Sequence, residues 1–313
     1  MINFRYHVVS LTAVFLALAI GLVVGTAALN GPVAENLKSQ ITALNKDNSN
    51  KRDQINQYRD ELNRSQEFAT EIAPTLLNGK LTGRKLAVVA LPGTTDYADD
   101  VAAMLKVAGA TITATVTVQD KFFDPAVEVE LLDLASQSSQ PSIQSDELPL
   151  PLNSNGVETA SAQLALTLLQ HTGATQAAAG DVTAVLTAYS EQGYIKVEDK
   201  AVGGAEAAVM ISGEPPADKD AAKRNQAALT TANQFRRYRP LVVAGGGVGD
   251  GNLVSQVRGD PTLVKDISTV DNASTTDGQV ATGMATVERL VQGKVGQYGL
   301  AAGASSLVPK AAS

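Results

Sequence analysis

The segment Val8–Leu29 (VVSLTAVFLALAIGLVVGTAAL) runs for 22 residues without a charged side chain. As a helix it spans roughly 33 Å, close to the hydrocarbon thickness of a bilayer. An unbroken apolar run of this length is rare in a soluble core, so it predicts a transmembrane helix over 8–29. A cleaved signal peptide is the rival reading, with small residues at Thr26–Ala28, but the run exceeds the usual ~7–15 apolar residues of such a region. The head, residues 1–7, carries Arg5 and the amino terminus, and no acid occurs before Glu35. That bias predicts a single-pass protein of the cell membrane, with its N-terminus cytoplasmic and the rest of the chain in the envelope outside the inner membrane. Gly21 and Gly25 form a GxxxG spacing, which lets two such helices approach closely.

A second helix is written into the next forty residues. From Ala34 alternating steps of three and four connect Leu37, Ile41, Leu44, Asn48, Lys51, Ile55, Tyr58, Leu62, Ser65, Ala69 and Ile72. This is the repeat that keeps one seam of a left-handed coiled coil facing its partner. It predicts a coiled coil over 34–73 whose interface is Leu37, Ile41, Leu44, Asn48, Ile55, Tyr58, Leu62 and Ala69. Asn48 falls at an a position, where a buried amide favours a parallel two-stranded register. Asp47 and Arg52 stand at g and e positions that pair between parallel chains. Lys51 at d and the Asn/Ser-rich centre weaken the seam. A homodimer, another protein's helices, or packing on the chain's own domain all answer to this pattern. Pro74 and Gly79 are expected to end the helix.

The remainder alternates between the two periods. LAVVALPG (Leu86–Gly93) reads as a buried strand, Tyr97–Ala108 as a helix and TITATVTV (Thr111–Val118) as a second strand, together a βαβ unit with a parallel sheet and a right-handed crossover. A polar, Pro-dotted stretch over 136–156 reads as a linker. Helices follow over Val157–His171 and Ala174–Glu191, parted by Gly173, with a short strand over Tyr194–Val197. Strands Ala207–Ser212, Leu241–Ala244 and Ile267–Val270 then alternate with helices Lys219–Tyr238, Leu253–Arg258 and Gln279–Val291. The fold class expected is α/β: a transmembrane helix, a coiled-coil helix, then a Rossmann-like, mostly parallel extracytoplasmic α/β domain over 84–300, divided by the linker, with a flexible tail over 301–313. With 44% hydrophobic residues but only 4% aromatic and no Trp, its core must be built from Ala, Val and Leu.

Chemistry is harder to find. The net charge of −7 shows no basic face for nucleic acid. There is no Cys, hence no disulfide, thiolate ligand or thiol nucleophile. The glycine cluster Gly245, Gly246, Gly247, Gly249 and Gly251 follows a strand and is a candidate ligand loop, since backbone N–H groups there can reach a phosphate. No register of it gives GxGxxG, and GxxxxGK[ST] is missing, so a tight strand-to-helix turn explains it more simply. His7 lies beside the membrane, and His171 stands at a helix end, where an exposed imidazole or a contact with the helix dipole is the ordinary explanation. Asp99, Asp100, Asp266, Asp271 and Asp277 read as capping and solubilising carboxylates, and Arg236, Arg237 and Arg239 as a helix C-terminal cluster. No GxSxG elbow occurs. The residues point to a non-enzymatic protein with no catalytic, metal or cofactor site.

The head MINFRYHVVSLTAVFLALAIGLVVG, the coil, the opening RKLAVVALPG, the strand VVAGGG and the end STVDNASTTDGQVATGMATVERLVQGKVGQYG resemble the actinobacterial copper transporter MctB family over almost the whole chain. That resemblance implies an envelope or outer-membrane role in copper efflux. The corynebacterial relative SteB, which is also similar, implies a role in cell separation, with an envelope membrane partner (SteA-like) and a peptidoglycan hydrolase. The composition bears on the choice. Copper(I) prefers thiolate and thioether ligands, whereas Met1, Met104, Met210 and Met284 are scattered and the two histidines are far apart. An outer-membrane barrel calls for repeated alternating strands and aromatic girdles, which are missing here. An anchored scaffold bound to the lipid bilayer, dimeric through its coil and regulating cell-wall hydrolysis, is the expectation, with copper homeostasis as the alternative.

Overall fold

The computed structural model describes residues 4–310 apart from 95–96, 145–149, 152–153, 172–175, 199–200, 248 and 250. The chain divides into two compact units, Met1–Ser65 and Gln66–Ser313.

In the first unit, α1 (Phe4–Asn30) carries the apolar run, and its Phe4–Ala27 portion is long and apolar enough to cross a membrane. Both its threonine hydroxyls are satisfied within the helix: Thr12 donates to the Val8 carbonyl and Thr26 to that of Leu22. This lets polar side chains sit in an apolar span. α2 (Pro32–Leu77) is a single 46-residue helix.

Pro74 does not end α2, contrary to the expectation from sequence. The helix continues to Leu77, and the Asn78 amide still donates to the Pro74 carbonyl. Proline in a helix interior removes one hydrogen bond and crowds the preceding turn. The burial that offsets this cost is visible at Ala73 and Leu77, which are 2 % and 0 % exposed in the core of the second unit. Gly79, at φ +76°, then lets the chain turn away.

The second unit is built on one seven-stranded sheet. Its strands are β1 (Lys85–Ala90), β2 (Thr111–Val118), β3 (Ile195–Glu198), β4 (Ala207–Ser212), β5 (Leu241–Gly245), β6 (Ile267–Val270) and β7 (Gln297–Tyr298), in the order β3-β2-β1-β4-β5-β6-β7. All neighbours are parallel except β3, which runs antiparallel to β2. Strands buried on both faces read as continuous apolar runs, and β1 behaves that way. Leu86, Val88 and Ala90 join one core while Ala87 and Val89 join the other.

The first of those cores holds the end of α2, α3 (Ala98–Val107) and α10 (Thr276–Val287); the second holds α4 (Glu128–Gln137), α5 (Gly156–Leu168), α6 (Ala179–Glu191), α7 (Ala221–Tyr238) and the short α8 (Leu253–Gly259). A four-residue helix, α9 (Leu263–Asp266), leads into β6. Apart from Glu158, every residue of α5 is buried, which its nearly all-round apolar sequence requires. Its one buried long polar side chain is engaged: Gln163 donates to the Ala135 carbonyl and accepts from Tyr189 and Ser138.

Four other expectations change. The stretch 136–156 does not divide the sheet, because β1 and β2 precede it and pair with β4 and β3 beyond it. Ser136 and Gln137 complete α4 and Pro141–Ile143 forms a 3-10 turn, while 145–149 and 152–153 lie outside the described residues. α6 begins at Ala179, and Gly173 and Ala174 also lie outside the described residues. The described part of the tail, residues 299–310, is bonded to the sheet end. Gly299 and Ser305 hydrogen-bond to neighbouring backbone, and Leu300 and Ala301 donate to the carboxylate of Asp271.

Candidate functional site

The parallel strands follow the order 2-1-4-5-6-7, so the direction of chain progression reverses between β1 and β4. In open α/β sheets that reversal leaves a crevice beyond the carboxyl ends of the two strands, where ligands bind. A cavity of about 240 Å³ opens there. Its floor is Leu91, Pro92 and Gly93 after β1, with Ser212 at the end of β4 and Gly213 and Glu214 after it. Asp120 and Phe123 come from the turn after β2, Arg224, Asn225 and Ala228 from the first turns of α7, and Gly251, Asn252 and Leu253 from the start of α8 and the two residues before it.

Several contacts fix this floor. Tyr97 donates to the Ser212 carbonyl at 2.5 Å. Burial, with the field of Glu214 acting the same way, pushes its phenol up to about 12. Asn252 accepts from the Val254 amide and so starts α8. Gly251 has φ +84°, and a side chain there would lie 2.1 Å from the Asn225 amide. The glycine is needed both for the turn and for the close approach.

The polar groups facing the cavity are incompletely matched. Ser212 is 3 % exposed, yet its hydroxyl has no hydrogen-bond partner among the described residues. Arg224 lies 3.5 Å from Asp120 and 3.7 Å from Asp218, with its side chain 23 % exposed.

The sequence-derived ligand loop is only partly brought to this place. Gly245 closes β5, where a side chain would meet Val254 and Ser212. At Gly246 a side chain would meet the Tyr97 ring, whereas Gly247 and Gly249 face open space. Of the cluster only Gly251 lines the cavity. The other lining groups lie too far apart in sequence to form any local motif. The one sequence-level pointer to them is the Pro-Gly or Gly-Glu-Pro-Pro pair closing two apolar strands.

The remaining candidates have structural explanations. Of the two explanations for His171 the helix-end contact holds: it is 7 % exposed, with Nε2 2.8 Å from the Leu166 carbonyl in the last turn of α5. Asp271, read as a surface carboxylate, is 3 % exposed and paired with Arg258. Arg236 pairs with Asp266 at 2.6 Å, Arg237 bonds Gln234, and Arg239 donates to the carbonyls of Gln170 and His171. Asp99 and Asp100 stand in the first turn of α3 and Asp277 in that of α10. Among the described residues no three His, Asp or Glu side chains cluster as a metal set.

A second candidate surface lies on α2. Leu37, Ile41, Leu44, Ile55, Tyr58 and Leu62 are between 50 and 67 % exposed, and Asn48 is exposed in the same row. Ala69 departs from the expected interface, being 8 % exposed within the second unit. Asp47 pairs with Lys51 one turn along its own helix at 3.1 Å.

Comparison with known proteins matches this whole architecture. The sequence profile of the family described as "Copper transport outer membrane protein, MctB" matches residues 1–309. The protein named "Copper transporter MctB" in Mycobacterium tuberculosis (strain ATCC 25618 / H37Rv) is 28 % identical over 315 residues, covering 98 % of this chain and 99 % of its own. Its namesake in Mycobacterium leprae (strain TN) is 29 % identical over 318 residues with the same coverage. The match therefore takes in the apolar helix, the seam and the α/β domain together, and the chain belongs to the MctB family.

Proposed function

We propose that this protein is a non-enzymatic, single-pass scaffold of the cell envelope. α1 anchors it in the bilayer with the head on the cytoplasmic side. The α2 seam joins two copies, and the α/β domain engages an envelope membrane partner of the SteA type and a peptidoglycan hydrolase, regulating cell separation.

One observation carries the reading. Six large apolar side chains, each at least half exposed, recur at three–four spacing on a 46-residue helix. Water-exposed apolar rows of this regularity are what helix–helix association buries. The partners named come from the corynebacterial likeness, and the seam supplies a surface suited to them.

Copper transport is the second reading, favoured by the family description and by the names of the mycobacterial relatives. The ligand chemistry gives it little support. Met210 is fully buried in the sheet, Met104 and Met284 pack against the core around α3 and α10, and thiols are absent. Copper passage would then depend on assembly of several chains.

Deleting the gene and scoring septum morphology and copper content in one strain separates the two. Chained, unseparated cells with normal copper are expected, with no rescue by the double variant Leu44→Asp, Ile55→Asp. Copper accumulation with clean separation overturns the scaffold reading in favour of the family's named activity.

A further inference from the structure

We infer that the crevice between β1 and β4 binds a small zwitterion, an amino acid or a short peptide, through Arg224, Ser212 and Glu214. The inference is independent of the scaffold reading.

Ser212 lines the cavity, and its buried hydroxyl has no hydrogen-bond partner among the described residues. Buried polar groups are nearly always hydrogen-bonded, and an orphan one in a crevice calls for a ligand atom. Arg224 gives the same indication. Its distances of 3.5 and 3.7 Å to Asp120 and Asp218 exceed the roughly 2.7–2.9 Å of a charge-assisted hydrogen bond. Its Nε is buried and has no hydrogen bond. The guanidinium fork is thus held in place with donors to spare, and a carboxylate is its best-matched acceptor.

The lining charge selects among carboxylates. Asp120 and Glu214 against Arg224 leave the wall one unit negative, which disfavours a free anion such as phosphate. A ligand that also carries an ammonium group relieves this, because Glu214 is exposed and the Asp120 side chain is 80 % exposed. The carboxylate then lies beside the less exposed Arg224, and the ammonium nearer these two acids. Phe123, Ala228 and Leu253 supply an apolar wall for a short aliphatic side chain. At about 240 Å³ the cavity falls below the ~300–1,000 Å³ of pockets for drug-sized molecules, which sets the ligand's size.

The test is calorimetric titration of the purified full-length chain in detergent. The probes are L-alanine, D-alanine and alanyl-alanine, with N-acetylalanine, alaninamide, inorganic phosphate and N-acetylglucosamine as controls. Each is taken to about 10 mM, above the millimolar Kd of the weakest binding expected. Saturable binding is expected for at least one zwitterion, weakened tenfold or more by acetylating the amine or amidating the carboxylate. Preference for free alanine over alanyl-alanine, or the reverse, tells whether a free amino acid or a peptide is the source. Arg224→Gln is expected to abolish binding. Ser212→Ala should lower affinity several-fold with no loss of thermal stability, an outcome a purely structural serine would not give. Glu214→Gln, an exposed change that leaves the fold alone, should weaken alanine but not N-acetylalanine. No binding by any zwitterion, binding of phosphate or sugar in its place, or binding indifferent to these three substitutions overturns the proposal.

Discussion

The guanidinium of Arg258 lies 2.8 Å from the carboxylate of Asp271, with the two side chains only 5 % and 2 % exposed. Each partner makes further bonds. Arg258 donates to Thr269 Oγ1 and to the carbonyls of Tyr298 and Ala302, and Asp271 accepts from the amides of Leu300 and Ala301. The pair joins α8, the end of β6 and the C-terminal segment. A buried ion pair offsets its desolvation cost only when its remaining donors and acceptors are satisfied in this way.

Removing one partner strands the other charge. Asp271→Ala is expected to destabilise the protein by about 3–5 kcal/mol, read as a lower denaturation midpoint. It should also expose residues 299–310 to protease before the rest of the chain. A midpoint within error of the parent, with the tail still protected, would refute this account.

Gly278, on the first turn of α10, packs against the loop that follows β6. A methyl group there would sit 1.9 Å from the Asn272 carbonyl oxygen, a backbone atom that cannot rotate away. Gly278→Ala is therefore expected to cost about 1–3 kcal/mol as overpacking, although Ala favours a helix over Gly. At Gly180, where a side chain would meet nothing within 4 Å, the same change should be neutral or slightly stabilising. Chemical denaturation of the two variants decides it; equal effects would contradict the packing argument.

Sequence reading works where the pattern is local and fails where the fold supplies the partner. The strands were legible because runs such as LAVVA and AAVMIS, buried on both faces, admit few other folds. α7 and α10 were legible from their period. β7 was not, since two residues, Gln297 and Tyr298, carry no pattern and hold their place through β6. Asp271 looked like any loop carboxylate because its partner and its two amide donors reach it only through the fold. The crevice suffered the same way: Pro92, Asp120, Ser212, Arg224 and Asn252 converge from five segments. The glycine run marked the neighbourhood, yet it serves mostly to admit Tyr97 and Val254.

Tyr97 gives a pH signature for that neighbourhood. Burial raises its phenol to about 12 from the ordinary 10, so the folded state favours the neutral, hydrogen-bonding form. Its contribution is complete below pH 10 and is lost as pH climbs from 10 towards 12. Measured from pH 9 to 12, the stability difference between the parent and Tyr97→Phe is expected to shrink across that window. A difference constant with pH would mean the phenol ionises equally in both states.

The seam on α2 offers the most direct check, because the chain has no cysteine of its own. Asn48 stands exposed in the apolar row, between Leu44 and Ile55. In a parallel, in-register dimer the two copies of an a-position residue face each other across the seam. Asn48→Cys is then expected to cross-link as a dimer under mild oxidation in native membranes. Asp60→Cys, at an f position on the side of the helix away from the three–four row, should cross-link far less. Adding Leu44→Asp and Ile55→Asp to the Asn48→Cys variant should abolish its cross-linked product, since burying four carboxylates across the two chains opposes association. Equal cross-linking at both positions would indicate random collision in the bilayer. Heterologous adducts without a dimer would assign the seam to another protein's helix.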